Sequence, residues 1–357
     1  MRAAGPTLRG CGSSKLAYPH AVSEPLAGIE RLRPLLYGFR STQVIYVFAK
    51  LGLADFLAVS PLTAAELASR VGANQVALGR VLRLAAYYGL VSEVPDQRFE
   101  LTALGRVLSV AVEGSMKAPA IMLGEGHYGA WGALLHTVMT GEPAFDHVYG
   151  APFFDYMAMH PEVQATFDAA MAAANDVLLG AMVDGYDFSS ADLVVDVGGG
   201  NGSLSAIVLR RHPTIEAIIY DQPQVLEAAN RYLTEAGVRS RCHLVPGNFF
   251  DSIPEGGDVY LLSNIVHDWD DERATRILRN CRSSMQAAAA VLLLETVLPE
   301  HGHASAAAMA DVNMMVLLAG RERTKEQYRK LLEAADLRMT RVIPISERES
   351  LIEARTR

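Results

Sequence analysis

A chain of 357 residues with 50% hydrophobic and 20% charged side chains buries a large core and exceeds one typical domain, so two domains are expected. Its formal charge of −8 speaks against broad affinity for nucleic acid, which needs clustered Lys and Arg. No apolar run reaches the roughly 20 residues that span a bilayer, because AAAAVLLLETVL at 287–298 is broken by Glu295 and reads as a buried strand.

The cysteines, Cys11, Cys242 and Cys281, are few and unpatterned, which suits a reducing compartment and a cytoplasmic protein. Residues 1–22 lack the apolar segment of a secretory signal and read as a disordered extension. From 23 to 112 the pattern is helical and then winged. LAGIERLRPLLYG and STQVIYVFAKLGLADFL carry apolar residues at helical spacing, and Thr63-Ala-Ala-Glu66 has the form of a capping box. Asn74 opens a further helix, and VSEVPDQRFELT reads as two short strands about a Pro-Asp turn. The helix that would enter a DNA groove offers only Asn74, Gln75, Arg80 and Arg83 as polar reach. A surface otherwise so apolar favours a dimerisation module over DNA recognition.

Residues 113–186 read as linking helices rich in Met and aromatic side chains, with His127 and Trp131 among the candidates to line a substrate cavity. Such residues serve equally well as core or as the wall of an apolar pocket, and both readings stand. From 187 to 357 the β-rich runs LVVDV, AIIYD, DVYLLSNIV and AVLLLETVLP alternate with helical segments, and RMTRVIPI and SLIEART close the series as an antiparallel pair. This is the pattern of an α/β Rossmann-like, doubly wound, mostly parallel sheet, whose ligands lie beyond the carboxyl ends of the strands.

The loop Asp196-Val-Gly-Gly-Gly-Asn-Gly202 follows the first of these strands and opens a helix, so backbone can approach a ligand there. A dinucleotide fingerprint would need glycine at 203, where Ser203 stands. With Asp221 at the tip of the next strand, placed to accept hydrogen bonds from ribose hydroxyls, a nucleoside fits better than a dinucleotide.

The run VVDVGGGNG, YDQPQV, GNFFDSIP, HDWDDE, LLLETVLP and AGRERT, in that order, resembles the S-adenosylmethionine-dependent O-methyltransferases of the caffeate and hydroxyneurosporene type, in their bacterial form. The resemblance covers nearly the whole chain from about residue 26. It implies a winged-helix dimerisation domain, linking helices and a methyltransferase domain that binds S-adenosyl-L-methionine, in a homodimer acting on a small aromatic substrate. It assigns Gly198, Gly200 and Asp221 to the methionine and ribose parts of the cofactor, Phe249 and Trp269 to the adenine side, and Phe167 and Met171 to contacts from the linking helices. Two positions depart from the family: Asn248 replaces a common Asp, and Ser263 replaces a Lys of the plant relatives. An Asn oxygen can still meet an adenine amino group, so binding is expected to survive.

His267 at a strand end is positioned as a general base for a phenolic hydroxyl, and the resemblance assigns Glu295 and Glu322 as its orienting carboxylates. Glu295 has support of its own, because a carboxylate inside an apolar strand is expensive without a partner; a buried structural ion pair is the competing reading. Asp268, Met314 and Met315 join His127 and Trp131 as candidate substrate contacts. Asp270, Asp271 and Glu272 read as a helix cap and first turn. A metal held by His267, Asp268, His301 and His303 has poor spacing, and none is expected. Another reaction on the same scaffold, such as N- or C-methylation, and a regulator that kept the fold are the alternatives.

Overall fold

The computed structural model describes residues 24–300 and 306–357, with the side chains of 24–27 and 172–177 excepted. The proposed extension at 1–22, Cys11 and the pair His301 and His303 lie outside the described residues. The chain divides into a short unit ending at Ser41 and a large one from Thr42. In the short unit, the helix Glu24–Leu36 is followed by the start of Gly38–Lys50. There Ser41 donates to the carbonyl of Gly38 at 2.7 Å, and the Arg40 guanidinium sits 4.1 Å from the Tyr37 ring centroid.

The large unit begins with helices and three short strands, β1 (Leu62–Thr63), β2 (Val91–Val94) and β3 (Arg98–Leu101), in the order β1-β3-β2. The Thr63 capping box forms as expected, with the Glu66 N–H on Thr63 Oγ1 at 3.2 Å and the Thr63 N–H on Glu66 at 2.7 Å. Asn74 caps Gln75–Tyr87 through the Ala77 N–H at 3.0 Å. That helix buries Leu78, Leu82 and Ala85 among Phe48, Leu53, Leu67, Phe99 and Leu101. β2 and β3 pair about Pro95–Gln97, and β1 adds a strand that the pattern did not announce.

Helices joined by turns, and no strand, make up 113–186, and Leu123–His127 winds as a single π turn, a local widening often found near functional sites. Gly124 allows this turn to approach Tyr46, whose Cβ would lie 2.3 Å from any side chain there. Phe145, Phe153 and Met157 then pack with Val316 and Leu317 of the helix Ala307–Leu317.

The main sheet contains β4 (Leu193–Val197), β5 (Glu216–Asp221), β6 (Cys242–Pro246), β7 (Val259–Ser263), β8 (Ala290–Leu298), β9 (Arg323–Thr324), β10 (Leu337–Pro344) and β11 (Glu349–Thr356). Its order is β10-β11-β8-β7-β4-β5-β6, with β9 beside β8. β4 to β9 run parallel, and β10 and β11 form the expected antiparallel closing pair. The chain leaves β4 toward β5 and β6, then returns on the other side of β4 as β7. The crevice of the fold therefore opens at the carboxyl ends of β4 and β7. One apolar layer, including Val194, Ala206, Ile219 and Leu292, covers one sheet face, and another, including Val195, Tyr260, Ile277 and Leu293, covers the opposite face. No described helix is long and apolar enough to cross a membrane.

Candidate active site

The side chains at the strand ends meet because β7, β8 and β9 are neighbours. β7 ends at Ser263, after which Asn264 takes φ 54° and still donates to the Leu294 carbonyl at 3.0 Å. This turns the chain into the short 3-10 turn Val266–Asp268. Glu295, next along β8, is fully buried. Its Oε1 accepts the N–H groups of Ile265 at 3.2 Å and Val266 at 2.8 Å, which fixes the carboxylate to that turn. Gly320 lets the segment before β9 pass so close to the turn that a Cβ there would stand 2.2 Å from the His267 carbonyl oxygen. The Arg321 N–H donates to that same oxygen at 2.8 Å, which brings Glu322 in behind the ring.

His267 Nδ1 therefore lies 3.1 Å from Glu295 Oε2 and 3.2 Å from Glu322 Oε1, and Nε2 lies 3.4 Å from Asp268 Oδ1. Nδ1 and Glu295 Oε2 are close without being aligned as a hydrogen bond, and both are shut off from solvent. Burial alone lowers the proton affinity of His267, but the charges of Glu295, Asp268 and Glu322 outweigh it and push the ring up to about 10. Glu295 is pushed up to about 7 and Asp268 to about 6, in both cases chiefly by burial and against the pull of His267. The cluster thus holds a proton firmly through neutral pH and shares it among acceptors about 3 Å apart. These same three residues, His267, Glu295 and Glu322, are the only described group with the spacing to hold a metal ion.

The glycine loop after β4 places Gly198, Gly200 and Gly202 at φ 69°, 57° and 80°, a region open to few residues besides glycine. Asp221 Oδ2 accepts the Gly200 N–H at 2.9 Å and Oδ1 the Gln222 N–H at 2.6 Å. The expected acceptor of ribose hydroxyls thus also organises the loop, and each oxygen keeps a lone pair free. A Cβ at Gly200 would meet nothing within 4 Å, whereas at Gly198 it would strike Ile265 at 2.5 Å. The loop is therefore packed underneath and open above, which suits a ligand lying on backbone. The Phe249 and Trp269 rings stand 6.0 Å apart, edge to face, and the indole N–H of Trp269 is buried without an acceptor among the described residues. Open backbone, a strand-end carboxylate and a spare donor beside aromatic rings fit an adenosine with an amino-acid tail.

Other expected residues fall in distinct places. Asn248 uses Oδ1 on the Phe250 N–H at 3.0 Å. Ser263 ends β7 and Met171 lies in the helix Pro161–Asp184, both half-buried. Phe167 and His127 line a small cavity of about 30 Å³ with Phe145, Phe153, Tyr156 and Met157. His127 is buried, which holds its ring down at about 4, so it is neutral at physiological pH. Trp131 donates to Asn313 Oδ1 at 2.9 Å, next to half-buried Met314 and Met315. Asn313 and Arg323 carried no signal in the sequence reading. A wider groove of about 430 Å³ is lined by Tyr220, Gly247, Asn248 and Asp251; His267 lines neither cavity.

Residues 131–338 match the family model of an O-methyltransferase domain, and residues 34–111 match that of an O-methyltransferase dimerisation domain. A phenazine O-methyltransferase of Lysobacter antibioticus is 42% identical over 93% of this chain and 96% of its own. The O-demethylpuromycin-O-methyltransferase of Streptomyces alboniger is 38% identical over 93% of this chain and 89% of its own. An 8-amino-8-demethylriboflavin N,N-dimethyltransferase of Streptomyces davaonensis is 34% identical over 87% and 91%. Among solved structures, an O-methyltransferase from neocarzinostatin biosynthesis, in complex with S-adenosylmethionine and 2-hydroxy-5-methyl naphthoic acid, superposes with a TM-score of 0.80 at 31% identity, covering 89% of this chain and 96% of that one. The chain belongs to the S-adenosylmethionine-dependent O-methyltransferase family, with that family's dimerisation domain ahead of its methyltransferase domain.

Proposed function

We propose that the enzyme methylates a hydroxyl of a small aromatic or polyketide-like metabolite, with His267 as general base and Glu295 and Glu322 as its orienting carboxylates. The observation that carries this reading is the convergence of two buried carboxylates on His267 Nδ1, at 3.1 and 3.2 Å. A proton kept at Nδ1 leaves Nε2 as the atom that receives the acceptor's proton, the division of labour that makes histidine a base. S-adenosylmethionine, when bound, supplies the methyl group on a sulfonium that departs as a neutral thioether. Gly198, Gly200 and Asp221 would hold its methionine and ribose parts, Phe249, Trp269 and Asn248 its adenine, with Ser263, Phe167 and Met171 alongside. Positioning of acceptor and donor in line accounts for much of the rate, and the base adds about 10²–10⁴-fold.

Support for an aromatic acceptor comes from the walls of the linking helices, where His127, Phe153, Tyr156 and Phe167 offer ring faces and a neutral imidazole. Trp131, Met314, Met315 and Asp268 are the further candidate contacts. The dimerisation-domain match and the exposed apolar side chains Leu32, Leu35, Leu36 and Phe39 support a homodimer. The free, buried Cys242 and Cys281 suit a cytoplasmic setting.

Methyl transfer to nitrogen is the second reading, favoured by the likeness to an N,N-dimethyltransferase. An amine already carries a lone pair and needs no base. Mass spectrometry of reactions with labelled cofactor against a panel of phenols and aryl amines, run with wild type and His267→Ala, separates the two. Loss of about 10²-fold or more on phenols supports the base; full activity in the variant sinks it.

A further inference from the structure

Among the described residues Arg323 has the largest side chain that is fully enclosed, although arginine is seldom buried without a specific task. Its guanidinium donates from Nη1 to the Val266 carbonyl at 3.1 Å and from Nη2 to the Trp269 carbonyl at 2.8 Å. Nε and Nη2 also donate to Asp271 Oδ1, at 3.0 and 2.8 Å, and a longer bond of 3.4 Å reaches the Arg321 carbonyl. Val266 and Trp269 bracket the two residues whose side chains face each other in the base cluster, His267 and Asp268. Arg323 itself follows Glu322, and its backbone pairs with Val297, two residues beyond Glu295.

One residue thus joins all three segments that build the cluster, its side chain holding the turn and its backbone pairing with β8. Its fork matches two carbonyls and a carboxylate at once, which an ammonium cannot do. Its ionic partner Asp271 is 58% exposed, so the pair does little as a buried ion pair, and a buried guanidinium is a costly way to gain stability. The bonds to the main chain are the specific part. They add charged donors to the carbonyls on either side of the turn, where that of Val266 otherwise meets the Trp269 N–H at a long 3.4 Å.

We infer that Arg323 is a positioning residue for methyl transfer: it sets the spacing of His267 from Glu295 and Glu322 by clamping both ends of the turn 266–268 to the start of β9, directly after Glu322. The inference rests on the reading of His267 as the base. A shift of a few tenths of an ångström would carry the ring away from carboxylates that it meets at 3.1 and 3.2 Å, and misplacement by about 1 Å can cost about 10²-fold in rate.

The test is steady-state and pH-dependent methyl transfer by the full-length enzyme carrying Arg323→Lys, with S-adenosylhomocysteine titration to count folded sites. Positioning predicts a fall in kcat per folded site of about tenfold to 10²-fold, a KM for the acceptor within about threefold, and a basic-to-acid displacement of the limb on which kcat rises, as the carboxylates loosen their hold on the ring. A purely structural arginine would lower the number of sites and leave that limb where it is. Wild-type kcat per site, or a loss of kcat with the limb unmoved, overturns the inference. Should Arg323→Lys not fold, the exposed Asp271→Asn decides in the same way, since it frees the guanidinium's anchor; a lower kcat with an acid-shifted limb supports the clamp and an unchanged profile overturns it. His267→Ala is run alongside. Full activity there sinks the base reading and this inference with it, whereas an inactive His267→Ala beside a wild-type-like Arg323→Lys overturns this inference alone.

Discussion

Replacing Glu295 by glutamine tests the orienting role proposed for the carboxylates. The amide is nearly isosteric, and its oxygen can still accept the Ile265 and Val266 N–H groups that Glu295 Oε1 accepts at 3.2 and 2.8 Å. The fold should therefore persist. The amide NH₂ then faces His267 Nδ1 from the place of Oε2, 3.1 Å away. A donor there favours a bare Nδ1 and a protonated Nε2, which is the wrong tautomer for accepting a proton. Glu322 Oε1, 3.2 Å from the same nitrogen, opposes that flip, so the single variant should lose part of the base's contribution, about 10–10²-fold in kcat. Changing both carboxylates to glutamine removes the opposition. The double variant should fall by about 10³-fold or more, about 4 kcal/mol of barrier, and should approach His267→Ala, because groups acting as a unit lose their effect together. Single-turnover methyl transfer from labelled cofactor reads the chemical step, and calorimetric S-adenosylhomocysteine binding checks that the cofactor site survives. If the double variant stayed within tenfold of wild type while His267→Ala was inactive, the carboxylates would not be what orients the base.

The position of the ring, pushed up to about 10 by its three carboxylate neighbours, sets the pH dependence of the free enzyme. A base must be unprotonated to act, so kcat/KM for a phenol should still be rising at pH 8–9 and the rise should vanish in His267→Ala; a plateau from pH 6.5 upward would contradict the cluster's electrostatics. Asp196 gives an independent check on stability. Burial pushes it from 3.8 to about 6, with Ser205 Oγ donating to it at 2.7 Å. A raised folded value means stability that is complete below the unfolded value and lost as pH rises through the folded one. Denaturant unfolding should therefore show wild type losing about 2 kcal/mol relative to Asp196→Asn between pH 4 and pH 7. Parallel curves for the two proteins would refute the assignment.

Local signals carried most of the fold. The capping box at Thr63, the cap at Asn74, the hairpin about Pro95 and the acidic start of the helix Asp271–Ser284 are all short-range hydrogen-bond chemistry, and all form as their residues imply. What escaped has physical reasons. β6 went unseen because CHLVP is short and ends in Pro246; as an edge strand it tolerates the missing N–H. The π turn at Leu123–His127 has no pattern, since one extra residue in a helix leaves the apolar spacing almost unchanged. Arg323 stands beside the expected Glu322 without a signal of its own, because arginine is by default a surface residue.

The base cluster shows most sharply where sequence reasoning needs topology. Residues 267, 295 and 322 are far apart along the chain, and nothing in their spacing states a contact. They meet because β8 lies between β7 and β9, so the turn after β7, the body of β8 and the residue just before β9 deliver one side chain each to the same point. That arrangement also settles why Glu295 can interrupt an apolar strand. A carboxylate buried among Leu292, Leu293 and Leu294 is unfavourable in isolation, but here it accepts two backbone N–H groups and lies 3.1 Å from an imidazole nitrogen. The same carboxylates that would stabilise the imidazolium formed during transfer also make the resting ring hold its proton. If His267 is the base proposed above, it is slow to be ready at neutral pH and effective once it is. The enzyme's rate at pH 7 should therefore be governed by how much of His267 is unprotonated when both substrates are bound, which makes the rising limb of kcat, and not its plateau, the quantity on which changes at Glu295, Glu322 and Arg323 will register first.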